Sequence, residues 1–173
     1  MSWELARNDE ERAAFAFISS DIVLGKPFMN TTWAKEIGKD GRPIELADQR
    51  PTPQGTRTCP DLYGGTNFMS PSFSPRTGLF YVSVRETCAM FRSQPPPAQY
   101  KSGDRVMGGI PAFQPGTGAL RAIDPATGAI KWGMKQASPG WAGVLTTATD
   151  VVFSGDNDGN FFALDAKTGR ELW

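Results

Sequence analysis

One eleven-residue phrase occurs twice in this chain. Ala122-Ile-Asp-Pro-Ala-Thr-Gly-Ala-Ile-Lys-Trp132 and Ala163-Leu-Asp-Ala-Lys-Thr-Gly-Arg-Glu-Leu-Trp173 share the pattern A-[IL]-D-x-x-T-G-x-x-[KL]-W, and their tryptophans stand 41 positions apart (173 − 132). A repeat of roughly 40–45 residues is the length of one propeller blade, four short antiparallel strands. Each copy reads as strand, tight turn, strand. Asn160 to Asp165 is rich in aromatic and aliphatic residues that suit a pleated, half-buried surface. Asp165 can accept from backbone amides two residues on, and Gly169 offers a left-handed backbone position. Asp124, Thr127 and Gly128 repeat this in the first copy. The aspartates therefore serve turns and are assigned no catalytic role. Trp132 and Trp173 are large, flat and carry one N–H donor, which suits them to packing between neighbouring sheets.

The same grammar extends upstream. Ser74 to Gly78 is a turn that leads into the apolar run Leu79-Phe-Tyr-Val-Ser-Val84. Val144 to Ser154 reads as two strands around a Thr149-Asp150 turn, and Gly155 to Gly159 as a further hairpin turn. From Thr66 onward only strand and turn signals occur. The expectation is an all-β chain, a partial β-propeller of about three four-stranded antiparallel blades. Residues 1–23 read separately: Asp9 to Ile22 places Ala13, Ala14, Phe17 and Ile18 on one helical face, so this segment is either a short helix or disordered.

Composition narrows the function classes. Eighteen basic and eighteen acidic residues leave no net charge, so nothing electrostatic favours nucleic acid or an anionic membrane. No apolar run reaches the ~18 residues of a membrane span. Histidine is absent, which excludes His-based triads, His-ligated zinc and c-type haem attachment within this sequence. The start, Met1 to Arg12, is charged and lacks the basic-then-apolar pattern of a signal peptide. Cys59 and Cys88 lie 29 positions apart, a spacing equally compatible with two buried thiols and with a disulfide.

Two loops stand out. In Cys59-Pro-Asp-Leu-Tyr-Gly-Gly-Thr-Asn67, the Gly64-Gly65 pair permits a close backbone approach, and Asn67 offers an amide that can donate and accept. Asn67 can equally close a turn before the next strand. In Ser138-Pro-Gly-Trp-Ala-Gly143, Trp141 has small neighbours and falls outside the repeated tryptophan position. Asp156 to Asn160 fails the EF-hand spacing and reads as a turn.

The ordered set of motifs resembles the quinoprotein alcohol dehydrogenases, which use pyrroloquinoline quinone (PQQ). The paired repeats look like that family's tryptophan-docking repeats. Leu24 to Phe28, Trp33-Ala34, Gly41 to Glu45, Cys59-Pro60, Gly64 to Asn67, Ser74 to Val82, Trp141 to Gly143 and Gly155 to Gly159 follow in the same order, over residues 24–173. The resemblance implies an eight-bladed propeller holding the quinone on its axis above a calcium ion. A carboxylate base then takes the alcohol proton, and the quinone takes a hydride. It implies that Asn67 bonds the cofactor and that Trp141 stands near the quinone edge. Cys59 and Cys88 match a structural disulfide of some members, which implies a periplasmic parent. The departures are as informative. Several hundred residues are needed for eight blades. The family's catalytic Asp and calcium ligands have no counterpart here, and Phe68 stands where members often carry Trp. The sequence therefore reads as a C-terminal-half fragment of an alcohol or sugar dehydrogenase, with no catalytic or metal-ligating residues, inactive alone. Its partners would be a small alcohol or sugar, a complementing propeller fragment or a cytochrome electron acceptor. The rival reading is a non-catalytic propeller module for binding or assembly.

Overall fold

The computed structural model describes residues 26–38, 40–95, 98–99, 101–104 and 108–173. The helix considered for Asp9 to Ile22 lies outside these residues. No helix occurs among the described residues, and twelve strands form four antiparallel sheets. The main sheet has the order β4-β5-β8-β9, with β4 Ser72–Ser74, β5 Leu79–Glu86, β8 Thr117–Ile123 and β9 Ile130–Gln136. Beside it stands β10-β11-β12, with β10 Leu145–Thr146, β11 Val151–Gly155 and β12 Phe161–Asp165. A small sheet β3-β6-β7 gathers Thr56–Thr58, Ala89–Phe91 and Ala112–Phe113, and β1 Ala34–Ile37 pairs with β2 Pro43–Glu45.

Strand β5 is buried along nearly its whole length because both its faces are covered. Leu79 and Tyr81 join Leu120, Ala122, Val144, Val152, Phe162, Leu164 and Ala166 in a core between the two larger sheets. Val82 and Val84 point the other way, into a smaller core with Ala119 and Ile123 against which Phe28 and Met29 pack. This period of two makes β5 a central strand that serves two layers.

The blades are less regular than three consecutive four-stranded units. Between β5 and β8 the chain leaves the main sheet at Glu86 and returns at Thr117, which are register partners. The excursion builds β6 and β7 and pairs them with β3. A Cys59–Cys88 disulfide, Cα–Cα 4.3 Å, ties this small sheet together. The β10-β11-β12 sheet shows only the beginning of a fourth strand, a single bridge between Leu164 and Glu171.

The repeats are hairpin turns joined to a docking tryptophan. Asp124 Oδ1 accepts from Ala126 N at 2.9 Å, and Gly128, at φ 73°, donates to Asp124 O at 2.7 Å. Asp165 Oδ1 accepts from Thr168 N at 2.9 Å, and Gly169, at φ 71°, donates to Asp165 O at 2.8 Å. Both aspartates are held below their ordinary pKa by hydrogen bonds to the ionised form, at Asp165 first of all from the Thr168 hydroxyl at 2.8 Å. At Asp124 burial is the largest single influence and opposes the shift. Trp132 is half-buried. Its indole N–H donates to Ala166 O at 3.0 Å, and its ring meets Tyr81 at 5.8 Å between centroids. It also fills the space above Gly169, where an added Cβ would fall 2.6 Å from the ring.

Candidate functional site

The two loops singled out in the sequence meet where β4 and β10 begin. Val144 N donates to Ser70 O at 2.8 Å, and the hydroxyls of Ser72 and Thr146 lie 2.7 Å apart. These contacts bring the residues just before each edge strand side by side. Phe68 stacks on Trp141 with centroids 5.5 Å apart and planes within 5°. Tyr63 meets Trp141 edge-on at 5.5 Å, and Phe113, from the excursion sheet, stacks on Tyr63 at 5.2 Å. Four aromatic rings from three separate stretches of chain thus form one platform. Phe68 (73% exposed), Tyr63 and Phe113 stay open to solvent.

Asn67 is exposed and closes its own turn. Its Nδ2 donates to Tyr63 O at 2.9 Å and its Oδ1 accepts from Phe68 N at 2.9 Å. Each amide atom keeps one further hydrogen-bonding position for a partner outside the turn. The Gly64-Gly65 pair answers a structural need: Gly64 takes φ 78°, and Gly65 faces the Met29 side chain, where a Cβ would collide with sulfur.

Beneath the platform lies a buried ion pair that sequence inspection had not singled out. Arg85 and Asp61 have side chains 5% and 3% exposed, with Nη2 and Oδ2 3.9 Å apart. The guanidinium carbon sits 3.8 Å from the Trp141 ring centroid and 5.6 Å from that of Tyr63. Burial pulls the guanidinium below its ordinary pKa, and the Asp61 charge opposes that shift. Asp61 Oδ1 also accepts from Tyr63 N at 2.8 Å, so the acid caps the loop that carries Tyr63 and Asn67. A signal was present: Arg85 continues the alternation Leu79, Tyr81, Ser83 on the face of β5 that meets the neighbouring sheet, where a charge needs partners. Ser83 on that face donates to Ala142 O at 2.7 Å, which holds the Trp141 loop down.

The chemistry of the donor set separates two cofactor questions. An open aromatic platform with an unsaturated amide at its edge fits one wall for a flat, polar, conjugated group. Among the described residues, no three or more Cys, Asp or Glu side chains gather to hold a metal ion. Asp156 is engaged within its own hairpin, accepting from Asp158 N at 2.9 Å and from Asn160 N at 3.0 Å and Nδ2 at 2.9 Å.

Comparison with known proteins gives the same region a context. A family model described as outer membrane protein assembly factor BamB matches residues 116–173. The quinoprotein alcohol dehydrogenase PedE of Pseudomonas putida is 40% identical over 161 residues, 85% of this chain and 25% of that protein. A lanthanide-dependent methanol dehydrogenase of Methylacidiphilum fumariolicum is 33% identical, over 94% of this chain and 29% of that protein. The solved structure of a europium-containing methanol dehydrogenase superposes with a TM-score of 0.75 at 34% identity, over 86% of this chain and 27% of the other. The chain thus spans about a quarter of the length of the curated relatives it matches.

Proposed function

The chain belongs to the PQQ-dependent alcohol dehydrogenases, to which it is homologous over about a quarter of their length, and we propose that it supplies part of the wall of the quinone site and does not oxidise alcohols by itself. The observation that carries this reading is the meeting of the Asn67 and Trp141 loops in one open aromatic platform. When bound, PQQ supplies a two-electron acceptor for alcohol oxidation. In this reading the Trp141 edge and the exposed Phe68 ring give the group an apolar surface. The spare Asn67 amide positions orient it by hydrogen bonds. General-base catalysis requires a carboxylate within hydrogen-bond reach of the substrate hydroxyl. Here Asp124, Asp156 and Asp165 are engaged in turns and Asp61 is paired beneath the platform. The base and the metal would come from the remaining three-quarters of a full propeller, supplied by further chain or by a complementing chain. The substrate would be a small alcohol or sugar, the electrons would pass to a cytochrome, and the setting would be periplasmic, in keeping with the Cys59–Cys88 bond.

A binding or assembly propeller is the less favoured reading. The assembly-factor model covers only the repeat-bearing residues 116–173, whereas the dehydrogenases match across 85% of the chain and include the Asn67 loop. Titrating the chain with PQQ, with calcium or a lanthanide present, should quench tryptophan fluorescence saturably. Trp141→Phe and Asn67→Ala should weaken that quenching, and no alcohol-dependent dye reduction should accompany it. Absence of quenching would refute the wall reading, and dye reduction lost in Asn67→Ala would refute inactivity.

A further inference from the structure

Arg85 touches both loops of the platform. Its backbone N–H donates to Gly65 O at 2.8 Å, which fixes the loop carrying Asn67. Its Nη1 donates to Pro139 O at 3.4 Å, and its guanidinium lies over Trp141, so the same side chain holds the other loop at two points. The charge is almost fully buried, yet its compensation is incomplete. Asp61 stands 3.9 Å away, and among the described residues Arg85 Nε has no hydrogen-bond partner, nor do the buried hydroxyls of Thr66 and Thr87. A hydrophobic residue at this position would avoid the desolvation cost of a buried cation. A lysine would keep the charge but could not lie flat against an indole or reach two loops with a rigid fork. The features that distinguish arginine are the ones in use, the flat face on Trp141 and the fork toward Pro139 and Asp61.

We propose that Arg85 is the positioning residue of this site: its guanidinium sets the plane of the Trp141 indole and, through Asp61, locks that indole to the Tyr63–Asn67 loop. This rests on the reading that Trp141 and Asn67 face the quinone. Arg85 itself lies beneath the platform and makes no contact with a ligand above it. Trp141 therefore keeps a fixed orientation before any ligand arrives, and quinone affinity depends on a residue that never touches the quinone.

The test uses the full chain and two variants. Arg85→Lys retains the charge without the flat fork, and Asp61→Asn/Arg85→Met removes both charges so that neither is left buried alone. The near-ultraviolet circular dichroism of Trp141, assigned by difference from Trp141→Phe, should fall by more than half in both variants while the far-ultraviolet spectrum is retained. PQQ should bind roughly tenfold more weakly, as when a partner that orients a ligand-contacting side chain is removed. Either folded variant keeping both the Trp141 band and the wild-type affinity overturns the proposal. If the unaltered chain fails to bind PQQ, the wall reading fails, and the Trp141 band alone decides the role of Arg85. If both variants unfold, the unaltered chain decides by NMR. The Arg85 side-chain protons must show an upfield ring-current shift that disappears in Trp141→Leu, and its absence overturns the proposal.

Discussion

Trp132 and Trp173 end the same phrase and have different fates. Trp132 packs against Tyr81, bonds Ala166 O and fills the space above Gly169. Trp173 is 72% exposed, touches Phe161 edge-on at 6.2 Å, and has no neighbouring sheet over it among the described residues. Both local turns form alike, with an aspartate accepting backbone amides and a left-handed glycine after it. The repeat therefore encodes a hairpin and a docking group. The dock itself belongs to the neighbouring sheet, which must offer a free carbonyl and a residue without a Cβ.

Substituting the two tryptophans gives the largest contrast. Trp132→Ala should destabilise the fold by about 3 kcal/mol, the low end for a large aromatic because Trp132 is only half-buried. Trp173→Ala should stay within about 0.5 kcal/mol. Urea denaturation of both variants checks this, and equal losses would mean that burial between the sheets does not set the difference.

The dock can be tested from its other side. Gly169→Ala and Gly78→Ala both place a side chain at positive φ, 71° and 69°, and so share the backbone strain. Only at Gly169 would the new Cβ meet the Trp132 ring, since a Cβ added at Gly78 meets nothing within 4 Å among the described residues. Gly169→Ala should therefore cost about 1–3 kcal/mol more than Gly78→Ala. In a Trp132→Ala background that excess should vanish, which a double-mutant cycle would measure.

The smallest effect is electrostatic and lies beside the Trp132 dock, where Ala166 N donates to Asp150 O at 2.9 Å. Asp150 accepts from Arg76 Nε at 2.8 Å, in the β4–β5 turn, and lies 3.1 Å from Lys167 Nζ, in the turn after β12. The Arg76 hydrogen bond, then that of Lys167, hold its carboxyl down at about 2. A carboxyl depressed on folding contributes stability above its unfolded pKa of about 4 and loses that contribution as pH falls from about 4 toward about 2. The acid limb of a stability-versus-pH profile should therefore be shallower in Asp150→Asn. The difference should shrink in 1 M salt, because both cations are exposed. An unchanged acid limb would show that the bridge contributes nothing across the sheets.

The all-β character was legible because it lies in short-range chemistry. Turn residues at fixed offsets and alternation in Leu79 to Val84 define hairpins without reference to the rest of the chain. The strands before Thr66 were less visible, since β1, β2 and β3 are three or four residues long and largely exposed. Of the site, Asn67 and Trp141 attracted notice through glycine-rich surroundings. Arg85, Asp61, Tyr63 and Phe113 did not, because their roles depend on one another across the fold.

Determined by the sequence itself were the repeat and its period, the turns at Asp124 and Asp165, and the chemical kinds of side chain available for a site. Each follows from interactions that span a few residues. Tertiary structure alone decided that Trp132 is docked and Trp173 is not, that β6 and β7 leave the main sheet to pair with β3, and that Arg85 lies beneath an indole 56 positions away (141 − 85). Those outcomes depend on which sheet faces which. That choice is made by burying Tyr81, Leu120, Val152 and Leu164 together, an energy that no single segment carries.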